Sequence, residues 1–248
     1  MEKKNIKLII SYDGSAYLGW QASNVGVSIE GTLKEVLEKI LQQDVNLQAA
    51  SRTDAGVHAE AQVVNFFLEK PRNLEQLHKS LNQLLPKDIR IAAIEEAAED
   101  FHPTLETKGK EYHYRLTRSH VQLPFDRLFA WHYPLPLDLK KMEAATQFFI
   151  GEHDFQVFGN TADPKPKDTI RTLYRLDLIS SEDELRFEIH GNNFLYKMAR
   201  NIVGTLVYIG AGKLSLEDAE KLIATKDRTL AGMTAPAHGL LLKKVFYV

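Results

Sequence analysis

The 248-residue sequence contains no cysteine. Disulfides, thiolate metal sites and cysteine nucleophiles are therefore excluded, and any covalent catalysis must use oxygen or nitrogen. The sequence also has no apolar run of membrane-spanning length, and its opening, MEKKNIKLII, lacks the cleavage pattern of a signal peptide. The expectation is a soluble, cytoplasmic protein. A strong charge of either sign is missing too: 31 Lys and Arg stand against 33 Asp and Glu, a formal net charge of −2. No global basic field advertises a polyanionic partner. The charges are nevertheless segregated, with Glu95, Glu96, Glu99 and Asp100 in one cluster and Lys165, Lys167, Arg171 and Arg175 in another. A solvated face is the ordinary meaning of such a run.

What the sequence does contain is organised around SRTDAGVH at 51–58. Apolar runs flank it at Val45 to Ala50 and Gln62 to Leu68, both of strand length, so the octet reads as a loop between two strands. Rigid strands fix such a loop while leaving its backbone within reach of a substrate. Arg52, two residues from Asp54, can favour the ionised carboxylate, which suits a nucleophile or base. The same residues also suit a tight turn in which Asp54 binds backbone donors and Gly56 supplies a positive φ. Both roles stay open at this level.

Around this loop the spacing predicts a strand from Ile6 to Ser11, a helix capped by Ser28, a helix from about Leu74 to Leu85 capped by Asn73, and a strand from Ile89 to about Ile94. In YDGSAYLGWQ, Tyr17 and Trp20 are core aromatics or base-stacking ones. The second half repeats the order: a strand from Glu111 to Thr117, a helix from Leu139 to Ile150, a hairpin of Thr169 to Ile179 with Leu185 to His190, a helical stretch from Phe194 to about Tyr208, a short helix capped by Ser215, and a strand from Leu240 to Tyr247. Two β-α-β-β-α-β units imply an α+β protein of two ferredoxin-like halves, residues 1–100 and 101–248, whose antiparallel sheets meet to form a central cleft.

Candidate ligand contacts in the second half lie in two places. KGKEYHYRL puts Lys110, Tyr112 and Tyr114 on one face of a strand, a basic and aromatic surface suited to RNA bases and phosphates as well as to plain cross-strand packing. Lys197 and Arg200 sit in an otherwise apolar helical segment, where an arginine needs an anion or a carboxylate partner. Lys110, Lys165, Lys167 and Lys197 are the lysines that would contact phosphate. Two other patterns are set aside. GAGKLS at 210–215 lacks the spacing of a phosphate loop and reads as a helix end followed by a cap. His153 and Asp154 in GEHDF have no further histidine at ligand spacing, which points to folding or RNA contact.

SYDGSAYLGWQ, SRTDAGVHAEAQVVNF, KGKEYHYRL, GEHDF, NNFLYKMARNIVG and TAPAHGLLL follow one another in the order and spacing of the TruA family of tRNA pseudouridine synthases, which the chain resembles from about Ile6 onward. The resemblance implies an enzyme that converts uridine to pseudouridine in the anticodon stem and loop of tRNA, at positions 38, 39 and 40, without metal or organic cofactor. It implies that Asp54 is the nucleophile, toward the sugar or the base, and that Arg52 binds the RNA or positions the flipped nucleotide. Tyr112 matches the tyrosine that stacks on the target base and assists proton removal from C5. Arg200 matches the arginine expected to pair with the catalytic carboxylate, and Leu240 the leucine lining the uracil pocket. The family also implies a homodimer whose tRNA spans both subunits. Ser51, Ala61 and Thr104 depart from its pattern, and Thr104 in place of an expected Arg removes one candidate phosphate contact.

Two other classes share part of this evidence. A noncatalytic RNA-binding protein of the same fold would keep the basic and aromatic surface but have no use for an Asp at its centre. A carboxylate hydrolase or glycosidase would use Asp54 together with a second acid such as Glu60 or Asp154.

Overall fold

The computed structural model describes residues 3–160 and 166–247. Lys165, one of the candidate phosphate contacts, lies outside the described residues. The chain forms two compact units, Met1–Lys108 with Leu241–Val248, and Gly109–Leu240.

The first unit runs β1 (Lys4–Tyr12), α1 (Ile29–Leu41), β2 (Gln48–Ala49), β3 (His58–Leu68), α2 (Leu74–Leu84) and β4 (Ile89–Glu96). Strand order is β4-β1-β3, with β2 on β3, and every one of these pairings is antiparallel. That is the order of the split β-α-β fold expected from the element sequence. Alternation along β1 buries Ile6, Leu8, Ile10 and Tyr12. The helices present Ile29, Leu33, Leu37 and Leu41 on α1, and Leu77 and Leu81 on α2, at the i, i+4 spacing of one buried stripe. Ser28 and Asn73 cap them as expected, their side chains accepting from Gly31 N and Gln76 N.

The second unit runs β5 (Gly109–Thr117), β6 (Trp131–His132), α3 (Leu139–Thr146), β7 (Gly151–Asp154), β8 (Ile170–Ser180), β9 (Glu184–Gly191), α4 (Met198–Gly210) and α5 (Leu216–Thr225). Its strands are ordered β5-β9-β8-β7, antiparallel, with β6 parallel to β5. The last strand, β10 (Leu240–Phe246), pairs in parallel with the start of β3, Leu241 opposite His58 and Leu242 opposite Ala59. Tyr247 beyond it packs edge-on against Phe101 at 5.2 Å. Those contacts place residues 241–248 with the first unit, where the element order alone puts them with the second.

Two helices are shorter than their apolar spacing suggests. The third ends at Thr146 and tightens into a 3₁₀ turn at Gln147–Phe149. The fourth starts at Met198, not Phe194, because Lys197 takes a left-handed conformation with φ 61°. GEHDF, read as folding or RNA contact, makes folding contacts. It forms β7 and a 3₁₀ turn whose cap, Asp154, accepts from Gln156 N and from Thr169 Oγ1 and pairs with Lys226 at 2.6 Å.

Leu8 has no exposed surface at the centre of β1. Leu8→Ala is expected to cost about 2–5 kcal/mol of stability, from lost burial and the cavity left behind. A urea midpoint that fails to move would show that the first unit's core is not centred on this strand.

Candidate active site

Residues 51–57 leave β2 and enter β3 as a loop clamped on both sides. Ser51 is held by Gln62, fully buried on β3, which accepts from Ser51 N at 3.1 Å and donates to Ser51 O at 2.6 Å. That one amide does what a strand neighbour would do. From Asp54 the chain turns back, Val57 N donating to Asp54 O at 3.1 Å across Gly56, whose φ is +76°. The turn expected from the sequence is present, with Asp54 as its first residue.

The other side of the clamp is the YDGSAYLGW segment. Trp20 N donates to Thr53 O at 3.0 Å, Gly56 N to Tyr17 O at 3.3 Å, and Gly14 N to His58 Nδ1 at 3.1 Å. Tyr12 Oη and Thr53 Oγ1 share a hydrogen bond of 2.8 Å. The two backbones approach so closely that only glycine fits. A methyl at Gly14 would lie 2.0 Å from Val57 O, and one at Gly19, where φ is already +92°, would lie 2.6 Å from Thr53 O. Tyr17 and Trp20 are buried core side chains, 6% and 2% exposed. Tyr17 Oη donates to Asp88 Oδ1 at 2.7 Å, and its own burial first, then Asp88, push its pKa upward.

Arg52 does not meet Asp54. Ser51 and Thr53 are buried, Asp54 is half-buried, and Arg52 is exposed. Among the described residues Arg52 makes no hydrogen bond or ion pair, which removes it as the local support for an ionised Asp54 and leaves it facing solvent.

In the second unit, Lys110, Tyr112 and Tyr114 share the buried face of β5. Tyr114 is core. It has no exposed surface, its hydroxyl donates to Pro236 O at 2.9 Å, and Gly239 is flattened onto its ring. It therefore holds the segment leading to Leu240, which is itself 6% exposed. Tyr112 is 7% exposed and meets Phe194 edge-to-face at 4.9 Å. Lys110 is more deeply placed than a phosphate-binding surface lysine, with its ammonium donating to Asn193 Oδ1 at 3.1 Å. Burial, and secondarily the charge of Arg171, lower its pKa to about 8. Lys197 lies over the Tyr196 ring at 5.0 Å. Arg200, in the first turn of α4, uses Nε to donate to Ala235 O at 2.8 Å and receives Ala235 N on its own carbonyl at 3.1 Å.

On the opposite face of β5, Glu111, His113 and Glu188 bring one ligand atom each within 4.8 Å of one another. Guanidinium groups already match those carboxylates. Arg175 is 3.3 Å from Glu111 and 3.1 Å from Glu188, and Arg186 is 3.0 Å from Glu188. The group is an ion-pair network spanning three strands.

Comparison with known proteins agrees with these motifs. The model of the tRNA pseudouridine synthase family matches residues 8–104 and 145–248. A protein from Protochlamydia amoebophila (strain UWE25) named tRNA pseudouridine synthase A 2 is 50% identical over 247 residues, spanning 98% of this chain and 94% of that protein. Its namesake tRNA pseudouridine synthase A 1 in the same organism is 44% identical, over 97% and 95% of the two chains. A tRNA pseudouridine synthase A from Thermoanaerobacter sp. (strain X514) is 39% identical, over 98% and 100%. The chain belongs to the tRNA pseudouridine synthase family, a family of isomerases.

Two expectations come from this geometry. Gly14→Ala is expected to displace the 51–57 loop and abolish turnover while far-ultraviolet circular dichroism stays that of the folded protein; full activity would mean that the loop's position is not what the clamp sets. Lys110 titrates near 8 in the folded protein and at 10.5 when unperturbed, so the unfolded chain holds more protons in that window and stability should rise with pH across it. Urea midpoints from pH 8 to 10.5 should show this rise, and Lys110→Met should remove it; an identical slope in both proteins would refute the assignment.

Proposed function

We propose that this chain converts uridine to pseudouridine in the anticodon stem and loop of tRNA, at positions 38, 39 and 40, with Asp54 as nucleophile. The observation that carries the reading is the clamped turn at 51–57, which presents Asp54 half-buried from a backbone held by Ser51, Thr53 and Gly56. A nucleophile whose geometry is set before substrate arrives loses little freedom in the reaction.

The reaction breaks the bond from C1′ to N1, turns the uracil while it is retained, joins C5 to C1′, and moves the C5 proton away as N1 gains one. Asp54 attacks the sugar or the base in its ionised form. Tyr112 stacks on the target base and assists loss of the C5 proton. Arg200 supplies the cation that favours carboxylate over carboxylic acid, and Leu240 gives the ring an apolar wall against which it can turn. Arg52, facing solvent, suits contact with the RNA backbone. Lys110 serves the substrate from beneath the surface. The target uridine must leave its stack to be reached, which costs least at weakly stacked loop and stem-end positions. None of these steps requires a metal or organic cofactor. A homodimer and a cytoplasmic location belong to the same proposal; among the described residues no helix is long and apolar enough to cross a membrane.

The deciding experiment maps pseudouridine by chemical labelling and primer extension on unmodified tRNA transcripts. Wild-type protein should create new stops on the 3′ side of the anticodon arm. Asp54→Asn should reduce them by about 10³-fold or more, the scale on which loss of a nucleophile acts, while still binding tRNA. Binding by both proteins with pseudouridine from neither would move a noncatalytic RNA-binding role to the front.

A further inference from the structure

Behind Arg200 lies a polar hub that the reaction as described does not use. Asn201, the next residue of α4, is fully buried, and its side chain makes four hydrogen bonds. Its Nδ2 donates to Phe158 O at 2.6 Å and to Asn160 Oδ1 at 2.7 Å. Its Oδ1 accepts from Arg228 Nη2 at 2.8 Å and from Thr234 Oγ1 at 2.7 Å. Arg228 also donates to Gly232 O at 2.8 Å and to Thr234 Oγ1 at 3.1 Å. One turn along α4, Thr205 Oγ1 accepts from Gly232 N at 2.9 Å while donating to Asn201 O at 2.7 Å.

These bonds press the segment 231–235 onto a flat patch of helix. A methyl at Gly204 would lie 1.7 Å from Met233 O, and one at Gly232 would lie 2.5 Å from Thr205 Cα. The segment ends at Ala235, whose N–H and C=O are both taken by Arg200. A guanidinium whose Nε is tied to a fixed carbonyl has its plane and direction fixed with it.

Arg228 is costly to place where it is. Its pKa is lowered by burial, its hydrogen-bond partners among the described residues are all neutral, and its Nε is buried with no partner among them. A cation held against neutral groups at that cost has a geometric use. A planar fork reaches the carbonyl of 232 from Nη1 and the amide of 201 and hydroxyl of 234 from Nη2, whereas an ammonium would have to serve all three from a single nitrogen.

We propose that Arg228 is a positioning residue for Arg200: by pinning 232–234 to Asn201 it fixes Ala235, and through Ala235 the orientation of the Arg200 guanidinium. The proposal rests on the role given to Arg200 above.

The test compares single-turnover and steady-state rates of pseudouridine formation for wild type, Arg228→Ala, Arg228→Lys, Arg200→Lys and the Arg200→Lys/Arg228→Ala double variant, with thermal melts of each. Arg228→Ala should lower kcat by about 10²-fold, the cost of a slightly misplaced group, with KM for tRNA unchanged, and Arg228→Lys should fall between. In the Arg200→Lys background the further loss should be under about threefold, because residues acting in series do not add. The same 10²-fold loss in both backgrounds, or wild-type kcat in Arg228→Ala, would overturn the proposal. If Arg228→Ala does not fold, Thr234→Val breaks the same clasp at a single hydroxyl, with the same expectation and the same refuting outcomes. Absence of pseudouridine with wild-type protein would instead be a failure of the proposed function, a result this comparison separates from the other.

Discussion

Everything at the candidate site depends on two stretches of backbone lying against each other with no side chain between them. The segment 13–20 and the loop 51–57 exchange backbone hydrogen bonds at Trp20, Thr53, Tyr17 and Gly56, and the approach is possible because Gly14 and Gly19 have nothing to put in the gap. Main-chain contacts of this kind are stiff, since neither partner has a rotamer to change. Tyr17 and Trp20 of the segment, with Tyr12 at the end of β1, are buried and anchor the clamp in the core. Asp54 therefore belongs to the rigid part of the molecule, although it sits in a loop.

The second unit reaches a similar end by partly similar means. Backbone meets backbone again before Leu240, at Gly204 and Gly232 and in the bond from Ala235 N to Arg200 O at 3.1 Å. Side chains add to it: Tyr114 provides a flat ring for Gly239 and a hydroxyl for Pro236, while Asn201 and Thr205 of α4, with Arg228, grip residues 232–234. The helix surface that receives the segment reads Asn, Gly, Thr at 201, 204 and 205. Each of those residues is short, and two carry exactly the donors and acceptors that a loop without regular structure must find somewhere.

Much of the fold was legible because it rests on patterns of period two and period 3.6. Strand alternation, the caps at Ser28, Asn73 and Ser215, and the hairpin of β8 with β9 are all local. The motif residues were legible because several short patterns occur in one order. What escaped was set by tertiary contact. Gln62 looked like one more residue of a strand, yet it secures Ser51. Arg228 lies in no motif, and its partners stand 4, 6 and 27 residues away in sequence, a set that no single local period links. Arg52 stands two residues from Asp54, a spacing at which Arg186 and Glu188 do pair at 3.0 Å, so only the folded structure shows that Arg52 turns to solvent instead. Lys110 was grouped with surface lysines; only packing could show its burial.

The parallel pairing of the last strand with the start of β3 has a consequence for how the molecule is made. Lys243 and Glu60, joined across that pair at 2.6 Å, are separated by 183 residues of chain. Closing so long a loop must wait for nearly the whole polypeptide, and contacts of that range are the slow ones in folding. During synthesis the first unit can assemble its helices and the β4-β1-β3 sheet while His58 and Ala59, the residues next to the 51–57 loop, still lack their neighbour on that side. The loop region thus stands beside an unfilled sheet edge until late in translation, a stretch of time in which an intervening chaperone or a stray strand could occupy it.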